Sequence, residues 1–139
     1  MRCFKGWAIS AYEGGLANFY TSGQFADYPP AYIYVLYIIG WLKDLLGLAY
    51  DSAAFTLLTR LPAILADIAL GYVVYRIASK QIGKNLAAAA GALLLFSPIL
   101  ILNSAAWGQV DSIFLLPLIG CIYYLQQKRH ILALSLIHI

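Results

Sequence analysis

The sequence is short of charge. Of its 139 residues only 11% are Asp, Glu, Lys or Arg, where ordinary soluble domains carry about a quarter. Cysteine is scarce as well. Cys3 and Cys121 lie far apart, one in a predicted loop and one in a predicted membrane helix, so neither a disulfide nor a metal site follows from them. The basic residues form no patch interleaved with polar surface, which argues against a nucleic-acid partner. No apolar stretch follows Met1-Arg2-Cys3-Phe4-Lys5-Gly6-Trp7, so the opening is neither a signal peptide nor a first span. Internal repeats and low-complexity linkers are missing too.

What is present is apolar. Hydrophobic residues make up 63% of the chain and gather into long runs, the pattern of an all-α, multi-pass transmembrane bundle. Residues 1–50 read as an outer loop with membrane-surface helices. Residues 51–133 read as transmembrane helices, at about 53–75, 86–102 and 113–125 with the start of another at 131. Phe4, Trp7, Ala8 and Ala11 recur at helical spacing, which predicts an amphipathic helix on a membrane surface. Asp51-Ser52 suits a helix start, because a short side-chain oxygen can cap free N–H groups.

Asp27-Tyr28-Pro29-Pro30 stands before an apolar run from Ala31 to Leu42. Each proline fixes its own φ and pushes the preceding residue out of the helical region, and proline suits a first helical turn. The stretch therefore reads as a stiff extended segment carrying a carboxylate to a helix mouth. The plainer alternative is a Pro-started membrane helix with an acidic flank. From Ala31 to Leu42 the run is 12 residues before Lys43-Asp44, a length suited to an interfacial or re-entrant segment; extended to Tyr50 it reaches spanning length only by including two charges.

Basic clusters at Arg76, Lys80 and Lys84 and at Lys128-Arg129-His130 should both face the cytoplasm. Two predicted crossings separate them, which puts the polar island Asn103–Ser112 on the outer face. If 31–50 does not cross, as its short run and Lys43-Asp44 favour, Asp27 faces the same compartment as Asp111. Cysteines substituted at Asp27 and Asp111 are then both expected to label from outside in intact cells. Labelling of one alone would end the shared-face arrangement.

Paired carboxylates at one membrane face suit acid–base work on a polar group carried by a lipid, since a carboxylate within hydrogen-bond reach can take a proton from an attacking hydroxyl. Trp107 and Gln109 are residue types a sugar site uses, one for stacking and one for hydroxyl hydrogen bonds. A helix N-cap before Ile113 is the structural alternative for Asp111. Arg60 and Asp67 fall two turns apart on one helix face. Ionisable residues within a span point to function, although a polar pair satisfied by neighbouring helices is the alternative for Asp67. Arg60 lies nearer the outer end, where it could meet a lipid phosphate. Glu13 reads as a solvated surface carboxylate.

Asp27-Tyr28-Pro29-Pro30 with Tyr32 and Tyr34, then Arg60 and Asp67, then Trp107-Gly108-Gln109 with Asp111-Ser112, together resemble the membrane glycosyltransferases of the GT-C class. The nearer resemblance is to bacterial and archaeal proteins related to GPI mannosyltransferases; the more distant is to dolichyl-phosphate-glucose-dependent glucosyltransferases. The order of the motifs along nearly the whole chain carries the resemblance. It implies a fragment of a GT-C fold in the cell membrane that takes a sugar, mannose or glucose, from a polyprenyl-phosphate donor on the extracytoplasmic face and transfers it with inversion. Asp111 and Asp27 become the candidate catalytic residues, with Asp27 positioning substrate or shaping the loop; Tyr28, Arg60, Trp107 and Gln109 become candidate substrate contacts. Neither a metal nor another cofactor is implied, and the partners are the lipid-linked donor and membrane lipid.

In that family a catalytic Asp stands a few residues before a Trp on a surface helix. Trp7 looks like that Trp, so the principal base is expected upstream of Met1, which becomes an internal methionine. The last six residues, 134–139, match one reading frame of a transposon adapter used in sequencing libraries, which would remove His138 from any chemistry. Re-sequencing the locus tests this, and a native codon run through the tail would refute it. The reading from another class is a fragment of a multi-pass transporter or lipid flippase, with Arg60 and Asp67 lining a polar pathway.

Overall fold

The computed structural model describes residues 2–21, 23 and 25–136. Every regular element among them is helical: α1 Arg2–Gly14, a 3₁₀ turn Leu16–Asn18, α2 Pro30–Leu45, α3 Ala53–Ala78, α4 Lys84–Leu95, α5 Pro98–Ile101, a π-helical turn Leu102–Trp107, α6 Asp111–Gln126 and α7 His130–Ser135. The chain divides into two compact units, Met1–Leu61 and Pro62–Ile139, with the division falling inside α3.

In the first unit the stripe Phe4, Trp7, Ala8 and Ala11 lies along one face of α1 and is buried. Its cover is α2, whose inner face carries Tyr32, Ile33, Leu36, Ile39 and Gly40. The apolar face of α1 is thus packed on a neighbouring helix. Close approach depends on Gly40, where an added Cβ would run into the carbonyl oxygen of Ala8 and lie 2.7 Å from Tyr12 Cβ. At the far end of the pair the Tyr12 hydroxyl donates to Asp44 Oδ2 at 3.3 Å. Burial pushes the Tyr12 phenol above its ordinary range, and the Asp44 carboxylate adds to the rise.

Pro29 is extended (φ −66°, ψ 155°) and Pro30 opens α2, as the prolines require. Sixteen residues later the helix ends, and Gly47 takes a left-handed φ of 59°. Its N–H donates to Asp44 O at 3.0 Å and that of Leu48 to Lys43 O at 2.9 Å, satisfying the last carbonyls as a glycine-based stop does. Sixteen residues give about 24 Å of helix, short of the ~30 Å hydrocarbon core. Continuation to Tyr50 as one spanning helix is therefore not what forms. Ser52 caps α3, accepting from the Phe55 N–H at 3.1 Å.

The expected series of spans is only partly realised. α3 is long and apolar enough to cross a membrane and runs on through Pro62. The expected straight span 86–102 is broken instead: Pro98 holds Ser97 extended (φ −62°, ψ 125°), and the segments Lys84–Leu95 and Pro98–Trp107 meet at a 41° bend. They amount to a second span only if the bent pair counts as one. α6, the expected span 113–125, has 16 residues and falls short by length, while the helix expected from 131 stops at Ser135. Of the expected adapter tail, residues 137–139 lie outside the described residues; Ser135 closes α7 by donating to Leu132 O at 2.8 Å.

Within the second unit two hydrogen bonds set α6 parallel to α3. Ser112 Oγ, at the start of α6, donates to Asp67 Oδ1. Lys80, just past the end of α3, donates to the Tyr123 hydroxyl near the end of α6 at 2.8 Å. Small residues bring α4 close to α3: a Cβ on Gly91 would stand 2.9 Å from Gly71 O, the kind of contact that lets helix backbones approach in apolar surroundings.

Candidate functional site

The second unit gathers its polar groups where the chain turns from the π-helical segment into α6. A π-turn holds an extra residue per turn and is frequent at functional sites. Here it runs from Leu102 to Trp107 and ends on Gly108 in the left-handed conformation (φ 80°, ψ 30°). The carbonyl of Asn103 accepts from the amides of both Gly108 and Gln109, the second at 2.9 Å. This reverses the chain, buries Val110 completely, and starts α6 with Asp111.

Asp111 is exposed and Asn103 Nδ2 donates to its Oδ2 at 3.1 Å. The cap position of α6 belongs to Val110 rather than Asp111. Its carboxylate lies in the first turn, where unpaired N–H groups favour negative charge. One residue on, Ser112 is 2% exposed and bound to Asp67, itself 8% exposed. That buried bond fixes the first turn of α6 against α3, and with it the direction of Asp111. Ser104, fully buried on the π-turn, has no hydrogen-bond partner for its Oγ among the described residues.

Beside these groups opens a cavity of about 530 Å³. Asn103, Asp111 and Ser112 line its polar part; Ile99, Leu100, Phe114, Leu115 and Leu118 line the rest. An apolar trough with a few polar groups at one place suits an amphiphile whose polar head meets the carboxylate. The other predicted residues of this turn stand apart from it. Trp107 is 70% exposed and Gln109 is half-buried; neither lines the cavity.

In the first unit Asp27 is exposed on an irregular segment, and that segment is strapped to α1. Trp7 Nε1 donates to Phe25 O at 2.9 Å and the Tyr20 hydroxyl to Tyr28 O at 2.9 Å. Tyr28, predicted to touch substrate, packs its ring among Phe4, Trp7 and Tyr32, with centroids 5.3–5.6 Å away. It holds the segment down and leaves Asp27 outward. Arg60 is half-buried on α3.

Sequence reasoning passed over Asn103, and the reason is geometric. Eight residues before Asp111, it would lie about 12 Å away along a continuous helix, and only the π-turn and Gly108 bring it back. Lys5 was overlooked as well. It is 8% exposed, donates to Tyr50 O at 2.8 Å, and lies 5.4 Å and 5.2 Å from the Tyr50 and Phe55 ring centroids. Its helical spacing beside the Phe4–Ala8 stripe was the available signal. Among the described residues no group of His, Cys, Asp and Glu could hold a metal ion, and both cysteines are free thiols. Comparison with protein-family models, curated proteins and solved structures returns no match.

Proposed function

We propose that this chain is a fragment of a GT-C-type integral membrane glycosyltransferase, which moves a mannose or glucose from a polyprenyl-phosphate donor to an acceptor on the extracytoplasmic face. The observation that carries the reading is Asp111: a carboxylate held by Asn103 at the polar end of an otherwise apolar cavity. A polyprenyl-phosphate sugar has the same division, a polar head on a hydrocarbon chain. In this reading α3, the bent pair and α6 are the crossings of a multi-pass bundle, and the parallel setting of α3 and α6 supports it by bringing both basic turns to one end. Asp111 orients the sugar for the step in which the family's principal base takes the proton from the attacking hydroxyl, and Asn103 holds it there. Trp107 and Gln109, outside the cavity on the turn that leads to its polar end, offer the sugar a stacking face and a hydroxyl partner.

The test is sugar transfer from a polyprenyl-phosphate-linked mannose or glucose by the complete gene product in membranes. Asp111→Asn is expected to lower the rate by a factor of about 10², the loss that misplacing a reacting group brings. Asp27→Asn, on an exposed segment, is expected to raise KM more than it lowers kcat. Full activity of Asp111→Asn would remove that residue from the site. Lipid movement without sugar transfer would instead favour the transporter or flippase.

A further inference from the structure

Charge in the second unit is segregated. Its two carboxylates, Asp67 and Asp111, both lie at the start of α6, and no acidic residue occurs from 68 to 110 or from 112 to 139. Five cations sit at the other end: Arg76, Lys80 and Lys84 around the α3–α4 turn, Lys128 and Arg129 between α6 and α7. All five are exposed. The bond from Lys80 to the Tyr123 hydroxyl ties the two turns together, so the cations gather at one end of the unit, away from its two carboxylates.

Tyrosines splay two of these cations. Lys80 Nζ lies 5.1 Å from the Tyr123 ring centroid, and Arg76 Nη1 donates to the Tyr72 hydroxyl at 3.0 Å. Phenols give such groups a hydrogen-bond acceptor while leaving the positive charge uncancelled. The second turn is strained. Lys128 adopts φ 59°, a conformation that favours glycine and costs other residues about 1 kcal/mol. The turn nonetheless closes α6, with Lys128 N–H donating to Leu125 O at 3.0 Å and Arg129 N–H to Tyr124 O at 2.9 Å. Beside it a cavity of about 460 Å³ is lined by Lys128, Arg129, His130, Ile131 and Leu132, joining cations to exposed apolar side chains.

We propose that this basic end of the second unit is a binding site for anionic phospholipid headgroups, with phosphate at Lys80, Lys128 and Arg129 and an acyl chain along Ile131 and Leu132. Charge complementarity selects the occupant. Clustered Lys and Arg directly beyond a membrane helix attract anionic lipid, each adding roughly a factor of five in affinity, and the apolar flank favours a lipid over a free anion. The proposal rests on α3 being embedded in a membrane and is independent of sugar transfer.

The full chain, purified in zwitterionic micelles, is titrated with phosphatidylglycerol and with phosphatidylcholine of the same acyl chains. Bound lipid is counted by native mass spectrometry. Phosphatidylglycerol is expected to be retained and phosphatidylcholine lost, with retention weakening as salt rises. The triple variant Lys80→Gln, Lys128→Gln, Arg129→Gln is expected to weaken retention on the order of a hundredfold. If circular dichroism shows that variant unfolded, Arg129→Gln alone is expected to weaken it about fivefold. Equal retention of the two lipids, or undiminished retention in the folded variant, overturns the proposal. So does displacement of phosphatidylglycerol by equimolar inorganic phosphate, which would mark a small-anion site, or by hexaglutamate, which would mark an acidic protein partner.

Discussion

Gly40→Ala is expected to destabilise the first unit by about 3 kcal/mol, the upper part of the range for overpacking a tight core. A methyl group at this position collides with the Ala8 carbonyl oxygen, and it comes within 2.7 Å of Tyr12 Cβ and 3.0 Å of the Ala8 carbonyl carbon. The atoms in the way are backbone and Cβ, so no rotamer change relieves them and α1 must move off α2. Alanine's better helix propensity returns up to about 1 kcal/mol, which does not offset the clash. Moving α1 exposes Trp7, now 8% exposed, and loosens its bond to Phe25 O. In a background with Trp41→Phe and Trp107→Phe, the remaining indole emission should shift to longer wavelength and the denaturation midpoint should fall. Gly71→Ala is the contrast: its added methyl meets the side chain of Leu95, which can rotate, so the loss there should be smaller. Unchanged stability of Gly40→Ala would mean that α1 and α2 are not packed as described.

Ser112→Ala is the second substitution with a large expected effect, about 2 kcal/mol in the second unit. It removes the hydroxyl that donates to Asp67 and leaves a buried carboxylate without that donor. Hydrogen bonds to charged groups contribute about 1.5–3 kcal/mol, and a stranded buried partner adds its desolvation cost. Asp67→Asn keeps an acceptor of the same shape and should cost less. The double variant Asp67→Leu, Ser112→Ala should be milder than the two single losses combined, because an apolar pair strands no charge. Unfolding in a denaturing detergent titration measures these three, and Asp67→Leu alone completes the comparison. The same bond aims the first turn of α6, so under the proposed function Ser112→Ala is expected to slow sugar transfer by the complete gene product even where Asp111 is intact. A loss within 0.5 kcal/mol, the spread of ordinary surface changes, would show that the buried bond does not hold α6 to α3.

The sequence by itself determined the helical class, because long apolar runs with little charge leave backbone groups no better solution than intrahelical bonds. It determined local punctuation as well. The buried stripe of α1, the proline-led start of α2 and the Ser52 cap are each set by neighbouring residues, whose spacing or side-chain chemistry acts over one or two turns. What covers a stripe is not local. The partner of Phe4, Trp7, Ala8 and Ala11 is α2, and its identity depends on Gly40, a residue with no side chain to signal a contact.

The extents of the spans likewise escaped the pattern, because hydropathy has no term for the extended Ser97 before Pro98 or for the left-handed stop at Gly47. Around the candidate site the division is sharpest. Asp111 stood out as a carboxylate between apolar runs, and Ser112 lay beside it. That Asn103 returns to grip Asp111, and that Ser112 reaches back 45 residues to Asp67, follows from a π-turn, one left-handed glycine and the parallel setting of α3 and α6. Contacts of that range are decided by how helices pack, and only the tertiary structure holds that information.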